Sequence, residues 1–307
     1  MVFSVEHTLA FLVHSEQIQR VIAATVVLYL TLAAASLSLR YSNAVPTTSK
    51  LKNQVNSWWY IFPVVTLSLS LYPFGPVALV VMIGMLAVRE ISLHFTARRR
   101  RMALAGAVFV LLIVSLAWIQ AGVVLGGPVL LLALLYLLFI ARGTDAALLS
   151  FLFVLVGYGL SFVIHFLYLP FTPEKNLAWL FYLFVATALN DVGQFIFGKL
   201  LGKRPIAATI SPNKTFEGLA GGVLVTISIS LWLGSYLQLA GPVNLILMAC
   251  LLSIGGFFGD LSFSAAKRFL GVKDFSALIP GHGGILDRVD SLVFTAPLLY
   301  FSVLLLN

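Results

Sequence analysis

The side chains best suited to chemistry lie in one stretch of the chain, between Gly259 and Ser291. In a sequence of which only 10% is charged, this stretch holds eight charged residues: Asp260, Lys267, Arg268, Lys273, Asp274, Asp287, Arg288 and Asp290. Charged groups are costly near lipid and are usually retained there for function. Carboxylates bind metal ions and cations bind phosphate, so the combination indicates phosphoryl or nucleotidyl transfer at a membrane surface. The alternative is a short interfacial loop whose charges only anchor two helices.

The spacing of these residues predicts how helices would present them. At the α-helical period, Asp260, Ser264 and Lys267 share one face. Asp287 and Asp290 are three residues apart and share a face if a helix begins there. Between the two groups, residues 280–284 read PGHGG, which is too rich in proline and glycine for a helix. Such a turn can bring the backbone close to a ligand, with N–H groups free to meet phosphate oxygens.

A second polar stretch runs from residue 190 to residue 222. Asp191 lies within the end of an apolar span, which marks it as a candidate site residue. Ser211-Pro212 predicts a helix start, because serine caps helices well and proline suits the first helical position. Lys214 beside that helix N-terminus favours the binding of a phosphate group. Close packing of the same helix against another span is predicted from three glycines, Gly218, Gly221 and Gly222.

The composition predicts an all-α, polytopic integral membrane protein. Sixty per cent of the residues are hydrophobic, and the mean hydropathy is +1.03. A tight hairpin or a re-entrant pair is expected within 57–89, where Tyr72-Pro73-Phe74-Gly75-Pro76 divides the apolar sequence. About ten transmembrane helices are predicted, over 21–39, 57–72, 74–89, 103–122, 124–141, 146–169, 177–197, 218–239, 243–262 and 290–306.

The basic residues predict the orientation of these spans. If the spans alternate, 17 of the 19 Lys and Arg residues fall on one side, and only Arg20 and Lys175 fall on the other. The positive-inside rule makes the crowded side cytoplasmic, together with both motif loops, and places both termini on the opposite side. The expected location is a bacterial inner (cytoplasmic) membrane. The membrane topology accounts for the net charge of +8. Nucleic-acid binding would need a soluble basic face, and the sequence shows none.

The two polar stretches resemble the phosphatidate cytidylyltransferase (CDP-diacylglycerol synthase) family. The longer family signature reads S-x-x-K-R, four residues, K-D, and then P-x-H-G-G-x-x-D-R-x-D. It is matched by Ser264, Lys267, Arg268, Lys273, Asp274, Pro280, His282, Gly283, Gly284, Asp287, Arg288 and Asp290. The shorter signature, D-x-x-A-Y-x-x-G-K followed by SPxKTxEG, is matched by Asp191, Gly198, Lys199, Ser211, Pro212, Lys214, Thr215, Glu217 and Gly218. Gln194 and Phe195 replace the Ala and Tyr that the family more often has.

The resemblance implies that CTP and phosphatidic acid react to give CDP-diacylglycerol and pyrophosphate. It implies Mg²⁺, with room for a second cation, bound by Asp260, Asp287 and Asp290. Catalytic roles are expected for Asp260, Lys267, Arg268, Asp287, Arg288 and Asp290. Substrate contacts are expected from Asp191, Lys199, Ser211, Lys214, Thr215, Ser264, Lys273, His282, Gly283 and Gly284. Residues 1–176 would form a membrane scaffold and residues 177–307 the catalytic membrane region, and a homodimer is compatible with this arrangement.

One departure from the family pattern leaves two functions open. The family commonly has an acid directly before the signature serine, and this chain has Phe263 there. If the three remaining aspartates suffice, Phe263 is a tolerated apolar residue at the membrane edge and the protein is an active transferase. The alternative is a non-catalytic lipid-binding or transport protein on the same scaffold. Mg²⁺-dependent incorporation of labelled CTP into a lipid product would separate the two.

Overall fold

The protein is built almost entirely from long α-helices. The computed structural model describes residues 15–41, 50–95, 99–120, 135, 144–276, 278 and 283–306. Within these residues the helices are α1 (Glu16–Tyr41), α2 (Lys50–Ser70), α3 (Phe74–Leu93), α4 (Arg99–Trp118), α5 (Thr144–His165), α6 (Pro173–Leu201), α7 (Phe216–Ile229), α8 (Pro242–Phe269) and α9 (Leu286–Leu306). All of them except α2 belong to eight segments that are long and apolar enough to cross a membrane. The all-α polytopic class is therefore confirmed.

The predicted span over 57–72 is a helix of mixed polarity. Helix α2 begins with the polar sequence KLKNQVN and contains Pro63, so its composition falls short of that of the eight spans. A three-residue turn at 71–73 joins it to α3, and the choice between a tight hairpin of spans and a re-entrant pair stays a prediction. The predicted span over 124–141 lies outside the described residues, apart from residue 135, and the count of ten stays a prediction.

The helices bring both polar stretches to the same end of the bundle. His94, just after α3, lies with Nε2 3.3 Å from the carbonyl oxygen of Phe275. The Nε of Arg268 in α8 donates to the carbonyl oxygen of Ile210 at 3.2 Å. At the opposite end, the Gln17 side-chain amide of α1 donates to the Leu237 carbonyl oxygen at 2.6 Å. The two motif loops are therefore neighbours, as strict alternation of the spans predicts.

Helix α6 lies at the centre of the bundle and positions the second polar stretch. Trp179 and Tyr182 of this helix are completely buried. On its flank α7 approaches closely, because a side chain at Gly221 or Gly222 would collide with Phe197 or Gln194 of α6. This confirms the close packing predicted from the α7 glycines.

Polar side chains join α6 to its neighbours inside the bundle. The Asn190 side-chain oxygen accepts hydrogen bonds from Thr226 Oγ1 of α7 at 3.1 Å and from Ser253 Oγ of α8 at 2.5 Å. Thr187 and Thr295 hydroxyls lie 2.9 Å apart between α6 and α9. Because buried polar groups need partners, these bonds fix the register of the three helices around α6.

A small β-hairpin separates α6 from α7, and it corrects the predicted helix start. Strand β1 (Pro205–Ala207) pairs antiparallel with β2 (Ser211–Thr215), so Ser211-Pro212 begins a strand. The helix begins at Phe216, where the Thr215 hydroxyl accepts the Gly218 N–H at 3.1 Å and acts as the cap. The Glu217 carboxylate accepts the Lys203 N–H at 3.0 Å and the Arg204 N–H at 3.2 Å, which closes the hairpin.

Candidate active site

Three aspartates from three helices meet beside the hairpin. We call Asp191 of α6, Asp260 of α8 and Asp290 of α9 the acidic cluster. The Lys214 ammonium, carried by β2, donates to the Asp260 carboxylate. Asp191 accepts a hydrogen bond from Ser291 Oγ at 3.0 Å, and Asp260 accepts one from Ser264 Oγ at 3.4 Å. The cluster therefore combines residues from both polar stretches of the sequence.

The glycine before Asp260 allows this convergence. A side chain at Gly259 would collide with the backbone oxygen of Asp290. Helices α8 and α9 therefore come together at this level, and Asp260 and Asp290 repel each other electrostatically from neighbouring helices. Asp290 is buried, with 7% of its surface exposed. In the Gly259-Asp260 pair, the glycine therefore allows the helices to pack closely and the aspartate supplies the charge.

Two cations, Lys214 and Arg288, interact with the acidic cluster. Burial alone would lower the pKa of Lys214, but the carboxylate of Asp260, supported by Asp191 and Asp290, raises it above its usual value. Its ammonium is therefore protonated at neutral pH. Arg288 is exposed and attracts Asp191 and Asp290. If all three carboxylates are ionised, they outnumber these two cations by one, and a further cation near them would then be favourable.

Asp287 belongs to a different arrangement, which we call the loop clamp. One carboxylate oxygen accepts the Lys267 ammonium at 2.5 Å. The other accepts backbone N–H groups of Gly284 at 2.9 Å and Phe275 at 3.3 Å. The side chains of Lys267 and Asp287 are only 12% and 4% exposed. Asp287 thus ties α8 to the segment that precedes α9.

The three aspartates predicted to bind metal are therefore divided between two arrangements. Asp260 and Asp290 lie in the acidic cluster, and Asp287 is engaged by three donors in the loop clamp. Across the described part of the chain, no three His, Cys, Asp or Glu side chains are already arranged around one point that could hold a metal ion. Asp191, predicted as a substrate contact, takes the place beside Asp260 and Asp290.

The backbone N–H groups at the start of α9 are engaged, and within the predicted turn at 280–284 the structure describes only Gly283 and Gly284. Those of Gly284, Ile285 and Leu286 all donate to carboxylates. Gly283 has a φ of 79°, a left-handed conformation that favours glycine. A side chain at Gly284 would collide with the Glu90 carboxylate. His282 lies outside the described residues.

The remaining predicted residues surround these two arrangements. Arg268 holds the hairpin turn through the Ile210 carbonyl oxygen. Ser211 and Thr215 belong to β2, where Thr215 caps α7. Lys199 and Lys273 are exposed, as is Arg288, and all three lie at the same end of the bundle. Their positions suit the capture of an anion from solution.

Phe263 is a core residue rather than a residue at the membrane edge. It is completely buried, and its ring meets that of Phe275 edge-on at a centroid distance of 6.3 Å. Phe275 also donates its N–H to Asp287. Phe263 therefore supports the loop clamp by packing against Phe275.

The structure adds a carboxylate that the sequence prediction missed. Glu90 of α3 is 2% exposed and accepts hydrogen bonds from Ser276 Oγ, Ile285 N and Leu286 N, at 2.5, 2.8 and 3.0 Å. The sequence predicts a span over 74–89, and Glu90 falls just outside it. The helix continues to Leu93, so Glu90 is a charged residue near the end of a span. That is the same signal that identified Asp191.

An apolar cleft extends from the acidic cluster into the bundle. It measures about 720 Å³ and is lined by side chains of α1, α2, α3, α6 and α9. Asp191, Asp287, Arg288 and Asp290 line its polar part. The remaining wall is mostly aliphatic and aromatic, with residues such as Leu69 and Phe181. This combination suits an amphiphile with a polar head and an apolar tail.

Comparison with known proteins gives one family. A profile of the cytidylyltransferase family matches residues 52–306. The chain is 41% identical over 151 residues to the uncharacterized protein YnbB of Escherichia coli (strain K12), covering 49% of this chain and 51% of that protein. It is 41% identical over 156 residues to a phosphatidate cytidylyltransferase of Staphylococcus epidermidis (strain ATCC 12228 / FDA PCI 1200), covering 50% and 58%. It is 43% identical over 135 residues to that of Bacillus subtilis (strain 168), covering 44% and 50%. The chain thus spans about half the length of the curated relatives that it matches.

Proposed function

This chain belongs to the cytidylyltransferase family, and on that premise we propose that it transfers the cytidylyl group of CTP to phosphatidate. The products are CDP-diacylglycerol and pyrophosphate. The observation that carries the proposal is the continuity of the apolar cleft with the acidic cluster. The cleft would accommodate acyl chains, and the charged end would hold the lipid phosphate next to the nucleotide. The relatives named phosphatidate cytidylyltransferase support the same substrates.

The reaction needs positioning and charge stabilisation more than proton transfer. An oxygen of the lipid phosphate attacks the α-phosphorus of CTP, and the bond from this phosphorus to the oxygen bridging to the β-phosphorus breaks. The bond electrons leave with pyrophosphate. Because the lipid phosphate is already an anionic nucleophile, no Ser-His-Asp arrangement is required. Lys214 and Arg288 lie where they can offset the charge of the approaching phosphates.

The acidic cluster also fits a divalent cation chemically. Mg²⁺ prefers carboxylate and phosphate oxygens, and the cluster offers three carboxylates against two nearby cations, Lys214 and Arg288. We propose Asp191, Asp260 and Asp290 as the holding residues, with Asp287 kept in the loop clamp. Bound there, the cation would supply Lewis-acid stabilisation of the phosphate charges. Lys214 would then exchange its bond with Asp260 for one with phosphate.

The cellular arrangement follows from the substrates. CTP is a cytoplasmic nucleotide, and the end of the bundle that holds the acidic cluster also carries most of the basic residues. We therefore propose that this end faces the cytoplasm of a bacterium, from an inner membrane. Assembly as a homodimer stays a prediction.

The test is a transfer assay with purified full-length protein in detergent. Labelled CTP, phosphatidate and Mg²⁺ should give chloroform-soluble label, which should disappear with a chelator or when diacylglycerol replaces phosphatidate. Asp260→Asn should reduce the rate by about a hundredfold or more, since loss of one charge-stabilising group costs that much in other active sites. Glu174→Gln, at the opposite end of α6, is the control and should retain wild-type activity. Folded wild type that transfers no label at any Mg²⁺ concentration would refute the proposal.

A further inference from the structure

We propose that Glu90 is a positioning residue for the start of α9, and that it couples the first half of the chain to the site. The inference rests on the proposed function, because the group it positions includes Asp287, Arg288 and Asp290. Glu90 does not touch the acidic cluster in any described contact. Its role would be to hold the backbone that carries those three side chains.

The contacts of Glu90 concentrate on one short segment. Oε1 accepts Ser276 Oγ at 2.5 Å and Ile285 N at 2.8 Å, and Oε2 accepts Leu286 N at 3.0 Å. Leu286 is the first residue of α9, so Glu90 satisfies N–H groups at a helix N-terminus from a different helix. Such groups have no partner within their own helix, and the positive end of the helix dipole stabilises a carboxylate.

The burial of Glu90 shows that these bonds are structurally important. The residue is 2% exposed, and no described lysine or arginine forms an ion pair with it. A buried carboxylate without such bonds would be strongly unfavourable. The segment is shaped to receive it, because only a glycine at position 284 leaves room for the carboxylate.

Two carboxylates, one from α3 and one from α9, therefore hold this segment. Glu90 approaches from α3 and holds Ile285 and Leu286, while Asp287 holds Gly284 and Phe275 and pairs with Lys267 of α8. Arg288 and Asp290 follow within the next turn of α9. Loss of Glu90 would release the first turn of α9 and let these side chains move away from Asp191 and Asp260.

The first measurement needs no substrate. In Glu90→Gln, hydrogen–deuterium exchange in detergent should become at least about tenfold faster at residues 284–287, because bonds to a charged acceptor are stronger than neutral ones. Exchange in the hairpin at 205–215 should stay unchanged. Ser92→Ala is the matched control, since Ser92 is also buried in α3 but bonds only to the Arg89 carbonyl oxygen of its own helix. Ser276→Ala removes one of the groups that donate to Glu90. It should accelerate exchange at residues 284–287 less than Glu90→Gln does.

The second measurement separates positioning from simple structural support. Glu90→Gln should lower kcat for cytidylyl transfer by about a hundredfold, as expected for misplaced reacting groups, with a much smaller change in KM for CTP. Glu90→Asp keeps the charge and should recover part of both the rate and the exchange protection. Ser92→Ala should behave as wild type in both assays.

The outcomes distinguish this inference from the proposed function. Unchanged exchange at 284–287 in folded Glu90→Gln or Ser276→Ala would refute the role of Glu90, whatever the activity. Faster exchange with unchanged kcat would refute the positioning role. A wild type without transfer activity would refute the proposed function and the catalytic part of this inference together, and the exchange data would still decide whether Glu90 holds the segment.

Discussion

The loop clamp gives the sharpest test of how the carboxylates divide their roles. Asp287→Asn keeps the size of the side chain and removes its charge. Lys267 would then retain a positive charge at 12% exposure without its partner, and removing one member of a buried ion pair destabilises proteins by about 3–5 kcal/mol. Asp287 accepts hydrogen bonds from Lys267, Phe275 and Gly284. The side-chain NH₂ group of asparagine is a donor, so it could not accept the bonds that it would replace.

The double variant Asp287→Asn/Lys267→Met removes both charges and should recover part of this loss. No uncompensated charge remains, so we expect a favourable coupling of about 0.5–3 kcal/mol between the two substitutions. If Asp287 instead binds the catalytic cation, removing Lys267 cannot compensate. In that case the Mg²⁺ concentration for half-maximal activity would rise in Asp287→Asn and in the double variant alike.

The assay combines thermal unfolding in detergent with labelled-CTP transfer over a Mg²⁺ titration. Glu16→Gln is the control, because it breaks an exposed pair with Arg20 at 3.6 Å. Such pairs contribute about 0.3–0.5 kcal/mol. Additive destabilisation in the double variant, together with a raised Mg²⁺ requirement, would refute the loop clamp and restore Asp287 as a metal ligand.

Two further predictions address Phe263 and the orientation. Phe263→Glu should unfold at lower temperature and lose activity, whereas Phe263→Leu should be tolerated. The glutamate would be fully buried one turn before Lys267, and it would compete with Asp287 for the Lys267 ammonium. Higher activity in Phe263→Glu would contradict this prediction and indicate a missing acid. In a Cys250→Ser background, cysteines at the exposed positions Lys203 and Lys273 should not react with impermeant thiol reagents in intact cells. A cysteine at Ser235, at the opposite end of the bundle, should react. The reverse pattern would overturn the proposed orientation.

Local helical periodicity explains which parts of the site could be predicted. Asp260 and Ser264 lie on one face of α8 and form a hydrogen bond, and α9 begins directly before Asp287. The glycines of α7 do pack against α6. These features depend on neighbours within one helix or on the size of one side chain, and both can be seen in a single sequence.

The partners of the charged groups could not be predicted in the same way. Asp287 and Asp290 share a helix face, but Asp287 is drawn to Lys267 and two backbone N–H groups, while Asp290 lies near Asp191 of another helix. Ser211-Pro212 has the composition of a helix start, yet pairing with β1 makes it a strand and moves the cap to Thr215. In each case a contact outside the residue's own helix or strand decided between locally equivalent alternatives.

Glu90 changes how the first half of the chain should be understood. The sequence predicts a scaffold over residues 1–176, because this part carries neither signature and consists of apolar spans. In the structure α3 supplies the carboxylate that fixes the start of α9, and α1, α2 and α3 form much of the wall of the apolar cleft. A helix N-terminus near a membrane needs acceptors from elsewhere in the protein, since lipid offers none. On the proposals made above, residues 177–307 depend on the first half of the chain for both the apolar cleft and the geometry of their charged residues, and separating the two at residue 176 should abolish the site.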